Sequence, residues 1–368
     1  MTMLESIILL KQIIDVDNKK LLLHTKEIID YLEGRRNKVI TLEVDLALAC
    51  NHVCPNCTFG SSHSKVFLDE DVMEKIVENL SEIGVKGMII SGGGEPGMHK
   101  DLGTFVKKVA RSGVDVTLTT NGQLIHRHFE DLMYNLKRIR LSIDAASGST
   151  FYYTHGKSRK DFDQVIANLK KAVHFKKEKG LPIDIGVSYL ICEKNADEIL
   201  HAVDFYKEIG VDFLHFKPMQ FWDKNTNRYY YKNFPAVEKV FSRIEGFKDN
   251  DFRVSISREK YFKEDKIKIH YNKCHGAYFD MIVGADGKVY TCCHLKYDQD
   301  YCYGDLKKES FNTVLKRVKS KVAGKCFQGC KMDAVNQFIE CGKNNRSELE
   351  KTVKEVDLNE LEFGGNWL

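Results

Sequence analysis

The stretch Cys50-Asn51-His52-Val53-Cys54-Pro55-Asn56-Cys57 places three cysteines at the spacing C-x3-C-x2-C, directly after the mostly apolar run 42–49. Cysteine thiolates are the usual protein ligands of iron–sulfur clusters. A four-iron cluster held by three thiolates keeps one iron open, and an open position lets a metal site bind and activate another molecule. The alternatives are structural thiols or a zinc site, but zinc normally takes four ligands and pairs C-x2-C with a distant second pair.

A second motif lies about forty residues later as Ser91-Gly92-Gly93-Gly94-Glu95-Pro96. Glycines let backbone groups approach a ligand closely, and Glu95 adds an acceptor for a cation. Taken together, the two motifs resemble those of the radical S-adenosylmethionine (radical SAM) enzymes, whose signatures are C-x3-C-x-aromatic-C and GGEP. The sequence departs from that pattern at Asn56, which stands where the family has an aromatic residue that helps to cover the SAM adenine.

The resemblance implies that Cys50, Cys54 and Cys57 hold a 4Fe–4S cluster whose open iron is chelated by SAM. The segment containing Gly93, Gly94 and Glu95 would bind the SAM amino group. In the family, an electron from the cluster cleaves SAM to a 5′-deoxyadenosyl radical, which abstracts a hydrogen atom from the substrate.

Composition bounds the remaining possibilities. The chain has 368 residues, a formal net charge of +4, and Lys and Glu spread along its predicted helices without a long single-sign block, which gives no case for nucleic-acid or membrane binding. The first fifteen residues carry Glu5 and Lys11 and do not form a convincing export signal. Eleven cysteines without such a signal favour metal ligation over disulfides, and we expect a cytoplasmic protein.

From residue 41 to residue 220 the chain alternates strand-like and helix-like segments. Strands are predicted at 41–48, 87–91, 114–119, 138–143, 184–191 and 213–218, and helices at 69–83, 101–111, 126–136, 161–179 and 196–209. Six β/α units predict an α/β fold with a parallel sheet, in which functional groups gather at the carboxyl ends of the strands. The resemblance implies a partial (β/α)6 radical SAM barrel; alternation alone leaves an open doubly wound sheet equally possible.

Polar residues near two strand ends are further candidates. In the fourth strand, alternation puts Arg140, Ser142 and Asp144 on one face, where a SAM ribose or carboxylate could be their partner. In the sixth strand, Lys217 would need an anionic partner inside a barrel, such as the SAM carboxylate or a substrate oxygen. The alternative for all of them is a polar barrel interior. The third predicted strand ends in the turn 119–122, which the resemblance places at the barrel mouth; the alternative there is a plain β-turn.

Seven more cysteines lie between Cys274 and Cys341. Residues 282–290 predict a β-hairpin with an Asp-Gly turn, and the pattern resembles the SPASM or shorter twitch extension of radical SAM enzymes. Four cysteines suffice for one auxiliary 4Fe–4S cluster in a small α/β twitch-like domain: Cys274, Cys292, Cys326 and Cys330. A zinc site is the alternative. Cys293 could be a spare thiol, the ligand in place of Cys292, or a catalytic hydrogen-atom donor.

The predicted organisation has five parts. They are a helical cap (1–40, with helices at 2–15 and 19–32), the barrel (41–220), a connecting or substrate-facing segment (221–273), the auxiliary cluster domain (274–341) and a tail (342–368). The first forty residues could also bind a leader peptide, although that length is short for such a domain.

The sequence thus predicts a radical SAM dehydrogenase or epimerase with two 4Fe–4S clusters, acting on a sugar, aminocyclitol or nucleotide-sugar and reduced by flavodoxin or ferredoxin. That substrate class rests on analogy. The alternatives are modification of a ribosomal precursor peptide and a nucleotide cyclase. A cluster-bearing electron carrier is the non-enzymatic alternative, and it has no reason to cleave SAM.

Overall fold

The computed structural model describes ten segments of the chain: residues 23–35, 38–60, 63–223, 228–231, 237, 240–241, 244, 251–257, 271–319 and 330–344. The predicted helix at 2–15, most of the segment 221–273, Cys326 and the end of the tail lie outside these described residues.

The alternating segments fold into the predicted strands and helices. The strands of the barrel are β1 (Thr41–Asp45), β2 (Gly87–Ser91), β3 (Asp115–Thr120), β4 (Arg138–Ser142), β5 (Asp184–Ile191) and β6 (Phe213–Pro218). The helices are α1 (Thr25–Leu32), α2 (Glu70–Ile83), α3 (Leu102–Arg111), α4 (Phe129–Asn135), α5 (Gly148–His155), α6 (Arg159–Lys179) and α7 (Ile199–Ile209). The later elements are β7 (Gln220–Asp223), β8 (Arg228–Tyr231), β9 (Arg253–Ile256), β10 (Asp280–Val283), β11 (Lys288–Tyr290), β12 (Cys302–Asp305), α8 (Phe311–Leu315) and α9 (Asp333–Asn344).

Strands β1 to β6 pair in sequence order and in parallel, as a run of right-handed β/α units requires. Their outward-facing residues, such as Val44, Ile90 and Leu118, are fully buried under the helices. Helix α6 shows how local signals fix the ends: Ser158 and Asp161 form a reciprocal capping box, and Gly180 closes the helix in the left-handed region at φ 60°. The predicted partial barrel is confirmed.

The auxiliary region shares the sheet of the barrel. Strand β10 pairs in parallel with β1, β11 and β12 continue antiparallel beyond it, and β9 extends the other edge beside β6, so one sheet has the order β12-β11-β10-β1-β2-β3-β4-β5-β6-β9. The predicted Asp-Gly hairpin is present between β10 and β11, with Gly287 at φ 81°. The auxiliary domain is therefore joined to the barrel by main-chain hydrogen bonds.

Helix α1 packs on the auxiliary region. Its Ile28 lies in a small core with Phe338 and Ile339 of α9, and the Tyr31 hydroxyl lies 2.6 Å from His275 Nδ1. The described part of the predicted cap therefore covers the auxiliary region.

Candidate active site

The three-cysteine loop comes directly after β1 and is held against the glycine motif. The N–H of Gly94 donates to the carbonyl of Ala47 at 3.0 Å, and that of Glu95 donates to the carbonyl of Ala49 at 2.8 Å. A Cβ on Gly94 would lie 2.2 Å from the oxygen of Ala49. Glycine is needed here because the two segments approach backbone to backbone.

Glu95 stabilises this arrangement from inside. Its carboxylate is buried and accepts hydrogen bonds from the N–H of Gly97, the hydroxyl of Thr120 and the N–H of Asn121, at 2.9, 2.5 and 2.7 Å. Three of its four lone-pair positions are thus used within the chain, and one on Oε2 stays available to a ligand. The structure gives Glu95 a structural role, and its predicted contact with SAM stays a prediction.

The turn after β3 is more than a plain β-turn. Asn121 Nδ2 donates to Asn51 Oδ1 at 2.8 Å, and Gln123 Oε1 accepts from Asn51 Nδ2 at 2.8 Å and from His52 Nε2 at 2.9 Å. These side chains fix the backbone between the first and second cysteines. No sequence pattern links these side chains, because seventy residues separate the two turns.

Two buried histidines flank the second cysteine. Cys54 Sγ lies 3.4 Å from His155 Nδ1, and His155 Nδ1 lies 3.4 Å from His52 Nδ1. Burial lowers the pKa of His155 to about 3 and that of His52 to about 4, so both rings are neutral at pH 7. Neither histidine was a sequence candidate. His52 lies inside the cysteine motif without a ligand spacing of its own, and no spacing links residue 155 to that motif.

A loop from the auxiliary region reaches the glycine motif. Asp45 Oδ2, at the end of β1, receives Lys296 Nζ at 2.6 Å, the Tyr297 hydroxyl at 2.8 Å and the N–H of Gly93 at 3.1 Å. Lys296 also lies over the Phe59 ring, 4.5 Å from its centroid. Tyr297 adopts φ 68°, a conformation that a bulky residue takes only where its surroundings enforce it. This contact links the cysteine loop, the glycine loop and the auxiliary region.

The predicted strand-end residues have different surroundings. Ser142 ends β4 opposite Ser188, and Lys217 lies on β6, both half-buried. Asp144 is buried and its Oδ1 accepts from the N–H of Leu190 at 2.7 Å, which gives it a structural role between β4 and β5. Cofactor contacts of these three residues stay predictions.

Arg140 lies two residues before Ser142 and pairs opposite Thr119, to whose hydroxyl its Nη2 donates at 3.0 Å. Its buried Nε has no acceptor among the described residues. Because a buried guanidinium donor left unpaired is costly, this atom is a candidate for binding a substrate or cofactor anion.

Two of the predicted auxiliary cysteines, Cys274 and Cys330, lie near the start of α9. Asn336 receives the N–H of Gly276 on its Oδ1 at 2.8 Å and places its Nδ2 3.7 Å from Cys274 Sγ. The N–H of Met332 lies 3.4 Å from Cys330 Sγ. Asn336 therefore ties the segment of Cys274 to the helix just after Cys330. Cys292 is half-buried just after β11, and Cys326 lies outside the described residues.

Cys293 lies near a buried group of charges at the junction of the two regions. Lys331 forms ion pairs with Glu43 of β1 and, at 2.6 Å, with Asp280 of β10. Burial, reinforced by the charge of Glu43, raises the pKa of the Cys293 thiol well above its ordinary range. The role of Cys293, as spare thiol, cluster ligand or hydrogen-atom donor, stays a prediction.

The cysteine loop fits an iron–sulfur cluster. Every described cysteine is free, and burial raises the pKa of Cys50 to about 11 and that of Cys54 further, with the neighbouring cysteines adding to the rise. The three thiols are half-buried and interact electrostatically, so their thiolate forms need a nearby positive charge, which iron would supply. Beside the glycine loop, the buried Oδ1 of Asp45 lacks a donor among the described residues, which suits the ammonium group of a cofactor.

A parallel β/α sheet with three thiols after its first strand and a second thiol set at its edge defines an iron–sulfur enzyme scaffold. Residues 45–206 match the model of the Radical SAM superfamily, and residues 274–343 match SPASM, an iron-sulfur cluster-binding domain. The chain belongs to the radical SAM superfamily and carries a SPASM-type domain. Its cofactors are SAM, a SAM-binding 4Fe–4S cluster and auxiliary iron–sulfur clusters.

Curated relatives match about 70% of the chain. GTP 3′,8-cyclase of Staphylococcus carnosus (strain TM300) is 28% identical over 297 residues, covering 73% of this chain and 81% of the relative. The enzyme of the same name from Staphylococcus aureus (strain Mu3 / ATCC 700698) is 26% identical over 277 residues, covering 68% and 76%.

Solved structures share the fold. Streptococcus suis SuiB has a TM-score of 0.58 at 18% identity, and this chain spans 65% of that chain while the match covers 76% of this one. The anSMEcpe structure with bound AdoMet has a TM-score of 0.55 at 17% identity and covers 86% of this chain and 98% of that one. In the described part of the present chain, no helix combines the length and apolar character that a membrane crossing requires.

When bound, SAM and its cluster supply a carbon radical able to remove a hydrogen atom from a C–H bond. Cys50, Cys54 and Cys57 would hold that cluster. The protein's own contribution is to hold the reacting C–H bond in place and to exclude competing donors.

Proposed function

We propose that this radical SAM enzyme modifies a peptide at a C–H bond. The observation that carries the proposal is the pairing of two lysines at the junction of the barrel and the auxiliary region. The buried Lys296 is neutralised by Asp45, and the half-buried Lys331 by Glu43 and Asp280. A nucleoside triphosphate would need several cations free of such partners. A peptide needs few, and a single carboxylate or carbonyl group suits Arg140.

Structural similarity supports the same substrate class. One SuiB structure is bound to the precursor peptide SuiA, and it has a TM-score of 0.61 at 16% identity over 88% of this chain. An anSMEcpe structure holds AdoMet and a Kp18Cys peptide, with a TM-score of 0.56 at 17% identity. Both proteins accommodate a peptide in a fold that this chain shares.

Cys293 suggests the fate of the substrate radical after hydrogen abstraction. A protonated thiol can return a hydrogen atom to a carbon radical, leaving a thiyl radical. One electron from a reduced auxiliary iron–sulfur cluster and one proton from solvent would restore the thiol. We therefore favour epimerisation, which this thiol can complete, over dehydrogenation, which needs a base in addition to the auxiliary cluster as electron acceptor.

The second candidate is cyclisation of a nucleotide, which the names of the curated relatives favour. Neither these relatives nor the peptide-bound structures favour the sugar, aminocyclitol or nucleotide-sugar substrate predicted from the sequence. The flavodoxin or ferredoxin partner and the cytoplasmic location stay predictions.

The test compares substrates with the anaerobically reconstituted protein, SAM and dithionite. GTP, a UDP-sugar mixture and a pool of random twelve-residue peptides are added separately, and 5′-deoxyadenosine is measured by liquid chromatography. We expect peptides to raise its formation above the substrate-free rate, with product peptides that gain one mass unit in D2O or lose two in H2O. Stimulation by GTP with consumption of the nucleotide, and none by peptides, would contradict the proposal.

A further inference from the structure

We propose that His155 is a positioning residue that donates an Nδ1–H hydrogen bond to Cys54 Sγ and so favours the reduced state of the SAM-binding cluster. The two atoms lie 3.4 Å apart, within hydrogen-bond reach for sulfur. Hydrogen bonds to the sulfurs are one of the protein's means of setting the potential of an iron–sulfur cluster.

The backbone of Asp144 fixes the tautomer of His155. Its N–H points at His155 Nε2 at a distance of 3.1 Å. The carboxylate Oδ2 of Asp144 also faces Nε2, but at 3.7 Å it is too far for a hydrogen bond. Because a backbone N–H is only a donor, Nε2 must be the unprotonated acceptor, and the ring proton must lie on Nδ1. That nitrogen is the one facing Cys54.

A second chain of bonds fixes His52. Gln123 Nε2 donates to Asp161 Oδ1 at 2.7 Å, so Gln123 Oε1 is the atom that faces His52 Nε2 at 2.9 Å. An amide oxygen only accepts, and His52 therefore carries its proton on Nε2 and a lone pair on Nδ1. His52 thus offers no competing donor, and the proton between His155, His52 and Cys54 belongs to His155. A distance of 3.4 Å is long for a hydrogen bond between two nitrogens but suits the larger sulfur atom, so Cys54 Sγ is the favoured acceptor.

The same three side chains could be taken for a divalent metal site. His52, Cys54 and His155 each offer one ligand atom, and these atoms lie within 4.8 Å of one another. Coordination by His155 Nδ1 would require that nitrogen to lose its proton while Nε2 already accepts a hydrogen bond. The ring would then be an imidazolate, so the hydrogen bond from Asp144 argues for a donor and against a metal ligand.

The position of the ring is fixed by packing. His155 stacks on Phe151 with centroids 4.4 Å apart and an interplanar angle of 24°, and it is 3% exposed. A hydrogen bond to a thiolate is charge-assisted, and a low local dielectric strengthens it. The bond is therefore placed where its effect on a cluster ligand is large.

The test is a redox titration of the SAM-binding cluster, monitored by electron paramagnetic resonance, in reconstituted wild type and variants. His155→Phe keeps a stacking ring and His155→Leu does not, and both lack the donor. We expect both to lower the midpoint potential by about 59 mV. For a one-electron couple, this shift makes the ratio of reduced to oxidised cluster about tenfold smaller at a fixed potential. His155→Asn, whose amide nitrogen can occupy the Nδ1 position, should return the midpoint potential most of the way to the wild-type value.

His63 provides the matched control, since its Nε2 lies 3.9 Å from Cys57 Sγ in the same loop. We expect His63→Leu to leave the potential near the wild-type value, and iron content to show that each variant holds its clusters. A wild-type potential in His155→Phe at full iron content would overturn the proposal. So would stoichiometric zinc binding by the Cys50/Cys57→Ala variant that is lost on adding His155→Leu, because the site would then bind metal through His155.

Discussion

The ammonium of Lys296 lies 2.6 Å from Asp45 Oδ2, and both side chains are almost completely withdrawn from solvent, at 3% and 0% exposure. This buried ion pair joins the first barrel strand to the loop after the auxiliary hairpin. The N–H of Gly93 donates to the same carboxylate oxygen, so Asp45 links the loop that carries Lys296 directly to the glycine loop.

Removing the cation should therefore be costly. We expect Lys296→Met to lower the free energy of unfolding of the apoprotein by about 3–5 kcal/mol, because it leaves the buried carboxylate of Asp45 without its cation. Lys296→Met combined with Asp45→Asn should recover most of the loss. Urea unfolding under anaerobic conditions measures both.

Lys308 is the control for this pair, as its side chain is 78% exposed and lies 3.5 Å from Asp305. Lys308→Met should change stability by less than about 1 kcal/mol. Equal effects of the two lysine substitutions would mean that the buried pair has no special role.

The glycine motif offers a steric prediction. We expect Gly94→Ala to displace the cysteine loop, because its Cβ would lie 2.2 Å from the oxygen of Ala49. The variant should lose SAM binding, measured by equilibrium dialysis, and part of its iron. Gly60→Ala places its Cβ 3.4 Å from the nearest atom and should retain both. Full SAM affinity in Gly94→Ala would show that the close approach is not needed.

Asp144 predicts a pH dependence of stability. Burial raises its pKa from 3.8 to about 7. A group whose pKa is higher in the folded state contributes stability that is complete below its unfolded value and is lost as pH rises through its folded value. The stability of Asp144→Asn minus that of wild type should therefore rise by about 2–3 kcal/mol from pH 5 to pH 8.

Urea midpoints of wild type and Asp144→Asn at the two pH values provide the measurement. Taking the difference between the two proteins cancels the contribution of other buried acids, such as Asp280, whose pKa burial also raises. A difference that is constant with pH would mean that Asp144 titrates near its ordinary value in the fold.

Cys293 tests the outcome of the proposed reaction. In D2O the thiol exchanges to S–D, and we expect product peptides to gain one deuterium at the modified carbon in wild type. Cys293→Ala should still form 5′-deoxyadenosine while incorporating at least about tenfold less deuterium. Cys302→Ala is the control, because Cys302 is half-buried on β12. Unchanged deuterium incorporation in Cys293→Ala would assign the donor role to another group.

The strands of the barrel were predictable because each is a short apolar run between turn residues. The bounds of β2, β5 and β6 are the predicted ones, at 87–91, 184–191 and 213–218. The first strand is shorter than predicted, ending at Asp45. After that residue the chain leaves the sheet to pair Ala47 with Phe67 and to receive the glycine loop. Apolar content alone does not show that change of partner.

The contacts between distant segments could not be predicted. No periodicity or spacing places β10 beside β1, brings Lys296 to Asp45, or sets His155 beside Cys54, because each pairing depends on how the sheet closes. The cysteines and glycines were accessible from sequence since their spacing is local. The residues that hold them in place come from other turns of the barrel.

The most direct test of the central claim is the iron and sulfide content per chain after anaerobic reconstitution, beside a Cys50/Cys54/Cys57→Ala triple variant. Two clusters held by separate cysteine sets predict about eight irons in wild type and about four in the variant. About four irons in wild type and none in the variant would contradict the account, because the second cysteine set would then hold no iron–sulfur cluster.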